Sequence, residues 1–149
     1  MCQSPRRRRV RRPRNQGPEQ GTGARFALER VRAAAVGERL SLGGSRCREH
    51  LLPLLGSLLE CLKFAAEVLK VLGAHDFSRT VRVGNLECDE YGVELPGRLL
   101  DRYGLGARGT WYVKLSLQPQ ELGDTVLLVS LHALERPLER KGGRLRPTW

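Results

Sequence analysis

Residues 46–72 read RCREHLLPLLGSLLECLKFAAEVLKVL, and this stretch decides the fold. Leucine and alanine recur in it at alternating spacings of four and three, which is the period of one helix face. The residues on that face are Leu51, Leu55, Leu58, Leu62, Ala65, Leu69 and Leu72. A second apolar row, Leu52, Leu59 and Ala66, lies beside it. A helix that is apolar around most of its circumference must be buried on several sides. The stretch therefore predicts one long, largely buried helix.

The same apolar helix is also the predicted contact with another protein. We assign this contact to Leu51, Leu55, Leu58, Leu62 and Leu69. The partner is either a second copy of the chain or a different protein, because a helix with one narrow polar stripe has more apolar surface than a single small core needs.

The chain on either side of this helix supplies the rest of the fold. A first helix is predicted over 25–36, where the apolar residues follow helical spacing. After Gly73 the apolar period changes to two, with a turn predicted at 89–92 and a short helix at 97–103. We predict an α+β fold in which two N-terminal helices, the second long, pack on an antiparallel sheet of about four strands.

Charge divides the 149-residue chain, whose formal net charge is +10, into a body and two basic ends. Residues 1–25 carry a net +7 and residues 136–149 a net +4, whereas residues 26–135 carry −1. We predict a disordered Arg-rich tail over 1–24, a single domain over 25–135 and a flexible basic tail over 136–149.

The N-terminal tail suits nuclear localisation or contact with nucleic-acid phosphates, since arginine pairs bidentately with phosphate. Its arginines are Arg6, Arg7, Arg8, Arg9, Arg11, Arg12 and Arg14. Ser4 precedes a proline and this basic run, which is the pattern of a phosphorylation site, and a phosphate there would weaken the grip of the run on anions. We predict a nuclear or nucleolar protein. The alternatives are a solvated tail on a cytoplasmic protein and a mitochondrial presequence, which Pro5 and Pro13 disfavour because they prevent an amphipathic helix.

Scattered cysteines and histidines give no metal-binding pattern. Cys47 and His50 could share a helix start, and Cys61 and Cys88 could complete a zinc site, but no C-x-x-C spacing is present. Cysteines scattered in an intracellular chain usually act as small core side chains. We expect no metal and no cofactor.

Several short motifs resemble catalytic or ligand-binding patterns without their context. Residues 104–109 match G-x-G-x-x-G, but a strand follows instead of a helix, so this is interpreted as a loop. The acidic residues Glu87, Asp89, Glu90 and Glu94 are interpreted as a solvated edge; the alternatives are a metal or acid–base site and a dock for a basic partner. His75 and Asp76 fit a capping turn. No enzyme is predicted.

Two functions remain. The first is a non-enzymatic adaptor or subunit of a nuclear multiprotein complex, favoured by the apolar helix and the near-neutral body. The alternative is an RNA- or DNA-binding protein that neutralises phosphates with its basic ends, and whose affinity falls steeply with salt. The leucine-rich uncharged stretch over 51–59 is far shorter than the roughly 20 residues that span a bilayer, so no membrane contact is expected.

Overall fold

The computed structural model of the chain describes residues 23–148. The helices are α1 (Leu28–Val36), α2 (Gly44–Leu55), α3 (Leu58–Val71) and α4 (Gly97–Arg102), with a 3₁₀ turn over Ala74–Asp76. The strands are β1 (Leu40–Leu42), β2 (Phe77–Val83), β3 (Leu86–Glu94), β4 (Thr110–Gln118) and β5 (Thr125–Ala133). The α+β class is confirmed.

The five strands form one mixed sheet in the order β1-β5-β4-β3-β2. Strands β2 to β5 are antiparallel neighbours, whereas β1 pairs in parallel with the first part of β5. The predicted antiparallel sheet of about four strands is therefore corrected to five strands with one parallel pair. A three-residue strand is too short to display an alternating pattern, which is why the sequence did not indicate β1.

The predicted long helix is two helices. Gly56, which ends α2, has a φ of 90°, a left-handed conformation that glycine adopts without a Cβ clash. Ser57 then caps α3, its side-chain oxygen accepting a hydrogen bond from the backbone N–H of Glu60 at 3.1 Å. Gly56 therefore ends one helix and Ser57 caps the next. The leucine spacing continues across both residues, which is why the sequence pattern predicted a single helix.

One face of the sheet packs against α1 and α3 and forms the core. Trp111, Val113 and Leu115 of β4 point to this side and are fully buried, as the alternation predicted. Phe64 of α3 lies edge-on to Trp111, with ring centroids 5.0 Å apart. The indole Nε1 donates to the Arg108 carbonyl at 2.7 Å, so the buried ring leaves no polar atom unpaired.

Strand β3 differs most from expectation. The turn predicted at 89–92 is wrong, since these residues lie within β3 and the hairpin turn is at 84–85. The solvated acidic edge is also wrong for two of its four residues, because Asp89 and Glu90 are 0% and 5% exposed. The Asp89 carboxylate accepts hydrogen bonds from the backbone N–H groups of Arg25 and Phe26 and from the Thr80 hydroxyl. It thus fixes the chain that enters α1 against the sheet.

Residues 136–148 fold back over the outer sheet face, the one turned away from α1 and α3. Leu138 and Leu145 form an antiparallel bridge and lie over Gly92 of β3, where a Cβ atom would come within 2.7 Å of Leu138. The Thr148 hydroxyl oxygen accepts from two backbone N–H groups at the start of β4. The charge pattern assigned this segment to a tail, whereas its contacts make it part of the folded body.

Candidate functional site

The five leucines predicted to meet a partner have different surroundings. Leu51 and Leu69 are fully buried, and Leu55 and Leu62 are half-buried against the core. Leu58 alone is largely open to solvent, at 48% exposed. The core therefore uses most of the predicted contact face.

A different apolar surface is left open on the helix layer. The C-terminal end of α1 and the outer side of α3 enclose a cavity of about 380 Å³, which we call the helix groove. Its apolar lining includes Ala35, Val36, Leu59, Leu62 and Ala66. Val36 and Leu59 are 69% and 61% exposed. The sequence pattern indicated the second apolar row of α3, but it did not indicate that Val36 lines a groove.

The rim of the helix groove is charged on both sides. Its cations are Lys63, Lys70 and Arg102, and its carboxylates are Glu38 and Glu67. Lys70 pairs with Glu67 at 2.7 Å, and this contact holds the pKa of the carboxyl below its ordinary value. One more cation than carboxylate lines the groove, so its field favours a partner with acidic flanks.

A polar cavity of about 370 Å³ lies on the opposite side of the sheet, and we call it the outer-face cleft. It is bounded by α2, by strands β2 to β5 and by the segment that follows β5. Arg79, Glu90, Lys114 and Ser130 lie directly opposite one another on these four strands. Residues paired in this way share one face of a sheet, so the register places the four side chains in one row.

Glu90 is the buried centre of this row. One of its carboxylate oxygens accepts from Nε of Arg79 at 2.7 Å, and the other accepts from the Tyr112 hydroxyl. Lys114 Nζ lies 4.0 Å from the same carboxylate. Burial, followed by the bond to Glu90, raises the pKa of Tyr112 well above its ordinary value, so its hydroxyl remains a proton donor at neutral pH.

Two imidazoles meet beside Tyr112. The ring centroids of His50 and His132 are 4.9 Å apart, and His132 lies 5.1 Å from Tyr112. Nδ1 of His132 is 2.8 Å from the Ala133 carbonyl oxygen. Because a carbonyl only accepts, that nitrogen carries the proton and Nε2 is the nitrogen left for another partner.

Two β-bulges direct side chains into the outer-face cleft. On β2 the register shifts between Phe77 and Arg79, so Phe77 enters the core while Arg79 faces the cleft. On β5 the pairing with β4 bypasses Val129, so Leu128 is buried in the core while His132 lines the cleft. In a regular strand each of these pairs would share a face.

The three cysteines among the described residues do not have the lowered thiol pKa of a reactive cysteine. Burial raises the pKa of the Cys47 thiol to about 11, and it raises those of Cys61 and Cys88 as well. All three side chains are fully buried, which confirms the expectation that they act as core residues. Within residues 23–148, no group of three or more His, Cys, Asp and Glu side chains could hold a metal ion.

We expect Cys47, Cys61 and Cys88 to react with a thiol reagent only after unfolding, because a buried protonated thiol is a poor nucleophile. Titration of the native protein with Ellman's reagent at pH 8, against a sample in denaturant, measures this. A Cys2→Ser variant removes the one cysteine outside the described residues. Fast labelling of this variant in the native state would contradict the burial of these thiols.

Other sequence motifs have structural places. The G-x-G-x-x-G stretch at 104–109 is the loop between α4 and β4, as interpreted. Asp76 accepts from the Gly73 backbone N–H at 2.8 Å, which confirms the capping turn. The arginines at 6–14 and Ser4 lie outside the described residues. No helix among residues 23–148 has the length and hydropathy to cross a bilayer.

Comparison with known proteins adds no relative to these observations. No protein-family model, no curated protein and no solved structure matches the chain.

Proposed function

We propose that the chain is a non-enzymatic adaptor or subunit of a nuclear multiprotein complex, and that it binds its partner protein in the helix groove. The observation that carries this proposal is the exposure of Val36 and Leu59 on two helices that line the same cavity. Apolar surface that is concave and rimmed by polar side chains is typical of protein-interaction sites.

The occupant we propose is an amphipathic helix with acidic residues beside its apolar face. Leu59, Leu62 and Ala66 have the i, i+3, i+7 spacing of one helix stripe. Ala35 and Ala66 also line the groove, and their small side chains leave space at its base. An approaching helix can therefore come close and place its own leucines between Val36 and Leu59. Acidic flanks complement the excess of cations on the rim.

A second copy of the chain is the less suitable occupant. In a two-fold dimer the same patch meets itself, so two rims that each carry one more cation than carboxylate would be brought together. Like charges across an interface suppress an association. A heterologous partner avoids this repulsion.

The Arg-rich segment at 6–14 supplies nuclear localisation in this proposal, with phosphorylation at Ser4 as its regulation. The nucleic-acid alternative depends on the same segment and on the C-terminal cations. Of the latter, Arg140 is bound internally to Asp76 and Arg144 pairs with Glu139. The C-terminal contribution to phosphate binding is therefore smaller than its charge suggests.

A designed peptide tests the proposal without knowledge of the natural partner. The probe is a fluorescent amphipathic helix of about 18 residues, long enough to be helical, with leucines spaced i, i+3, i+7 and glutamates beside them. We expect saturable binding to the full chain in fluorescence anisotropy. Leu59→Glu should weaken it at least about tenfold, because a leucine side chain contributes roughly 1.5–3 kcal/mol when buried.

The matched control is Leu122→Glu. Leu122 is 90% exposed in the loop between β4 and β5, so this variant makes the same charge change outside the groove. Equal weakening by the two variants would mean that the peptide binds through general charge, and the proposal would fail. Self-association of the chain that Leu59→Glu abolishes would instead assign the groove to a second copy.

A further inference from the structure

We propose that the outer-face cleft binds a small phosphorylated ligand through its phosphate group. The proposal is independent of the helix groove, which lies on the other side of the sheet. It rests on the charge, the available donors and the dimensions of the cleft.

The lining of the cleft has an excess of positive charge. Its cations are Arg46, Arg79, Lys114 and Arg136, and its carboxylates are Glu90 and Glu135. Glu90 is buried beneath Arg79, Tyr112 and Lys114, and both of its oxygens already accept hydrogen bonds. The cations at the mouth of the cleft therefore exceed the carboxylate charge still open to a ligand.

Several of these cations keep donors unused. Arg46 on α2 and Arg136 after β5 are exposed, and neither guanidinium group has an ion-pair or hydrogen-bond partner among residues 23–148. Arg79 uses only Nε, toward Glu90, and its side chain is 70% exposed. A guanidinium group with free N–H groups binds a phosphate bidentately, which makes arginine the preferred residue for phosphate recognition.

The polar lining of the cleft depends on two irregularities in the strands of the sheet. Two bulges, one on β2 and one on β5, direct Arg79 and His132 to this face against the regular alternation of their strands. Bulges that re-aim side chains are over-represented beside functional sites. His50 and His132, whose ring centroids are 4.9 Å apart, line the same cleft as the three exposed guanidinium groups.

The dimensions favour a compact ligand. A volume of about 370 Å³ is near the lower end of ordinary small-molecule pockets. The segment after β5 and helix α2 both line the cleft, so it is bounded on more than one side and is unlike the open track that a polymer follows.

Calorimetry and ¹H–¹⁵N NMR with the full chain, in phosphate-free buffer, test the proposal. Inorganic phosphate and adenosine monophosphate are the two probes. We expect both to bind saturably and to compete, with amide shifts concentrated around residues 46–50 and 130–136.

Arg46→Gln and Arg136→Gln should each weaken binding about tenfold, as loss of a charge-assisted hydrogen bond does. If phosphate binds as tightly as adenosine monophosphate, the cleft recognises the bare anion; tighter binding of the nucleotide assigns it to a monoester.

Arg48→Gln is the matched control, because Arg48 is also exposed on α2 but does not line the cleft. Its affinity for phosphate should stay within about twofold of the native value, the change expected when only screened surface charge is lost. Equal weakening by Arg48→Gln, or binding unchanged by Arg46→Gln and Arg136→Gln, would overturn the proposal. A single-stranded RNA oligomer that binds far more tightly than the mononucleotide, and loses that affinity in Arg46→Gln, would overturn the small-ligand assignment.

Discussion

Replacing Asp89 with alanine is expected to lower the free energy of unfolding by about 3 kcal/mol, since it removes three hydrogen bonds that each contribute about 0.5–1.5 kcal/mol. The fully buried carboxylate accepts from the backbone N–H of Arg25 at 3.0 Å, from that of Phe26 at 2.9 Å and from the Thr80 hydroxyl at 2.6 Å. Alanine removes the shared acceptor of all three donors. Urea denaturation of the full chain measures the effect.

Glu87→Ala is the matched control two residues away on β3. Glu87 pairs with Arg25 and Arg82, all three being substantially exposed, and such surface pairs contribute about 0–1 kcal/mol. Each variant removes one carboxylate. A larger destabilisation by Asp89→Ala is therefore due to the burial and hydrogen bonds of Asp89 and not to the loss of a charge. Equal destabilisation would show that Asp89 does not anchor the chain that enters α1.

The α+β class and the core side of β4 could be predicted because they depend on local periodicity. The break at Gly56 could not be recognised with equal certainty, because the leucine spacing continues through it. A glycine inside a helical pattern is often tolerated, and only the Ser57 cap shows that a new helix starts. Leu58 and Leu59, the first two residues of the new helix, are 48% and 61% exposed.

The outer-face cleft could not be predicted, because bulges and strand register create it. Alternation alone places Leu128 and His132 on one face, and the bypassed Val129 separates them. Likewise, alternation alone places Phe77 and Arg79 together. The position of a bulge depends on how two distant strands pair, and a single sequence does not display that pairing.

The Arg-rich pattern of the C-terminal end was equally uninformative about its contacts. Charge density distinguishes a solvated run from a core, but it does not identify which arginine finds a buried partner. Arg140 and Arg144 are four residues apart in the same segment, yet the first is 12% exposed and the second 53%.

Arg140→Met is expected to destabilise the fold by about 3 kcal/mol at pH 7, as removal of one partner of a buried ion pair does. Nη1 of Arg140 donates to Asp76 at 3.1 Å and to the Gly92 carbonyl at 3.0 Å, and Nε donates to the Gly143 carbonyl. Burial already raises the pKa of Asp76, so its ionised form is costly in the fold and is costlier without Arg140. Thermal unfolding, with limited trypsin digestion of residues 136–148, measures the loss.

The pH dependence of that loss distinguishes an unpaired carboxylate from simple loss of packing. A carboxyl whose pKa is raised in the fold favours folding below its unfolded value of about 3.9, and this contribution is lost as pH rises through the folded value. The deficit of Arg140→Met should therefore shrink as pH falls from 7 toward the unfolded value of about 3.9, and Asp76→Asn should remove most of this dependence. Arg144→Met, whose partner Glu139 is also exposed, should cost under about 0.5 kcal/mol at either pH. If Arg140→Met destabilises the fold equally at both pH values, Arg140 stabilises the segment by packing alone. The ion pair with Asp76 would then not contribute to the attachment of residues 136–148 to the sheet.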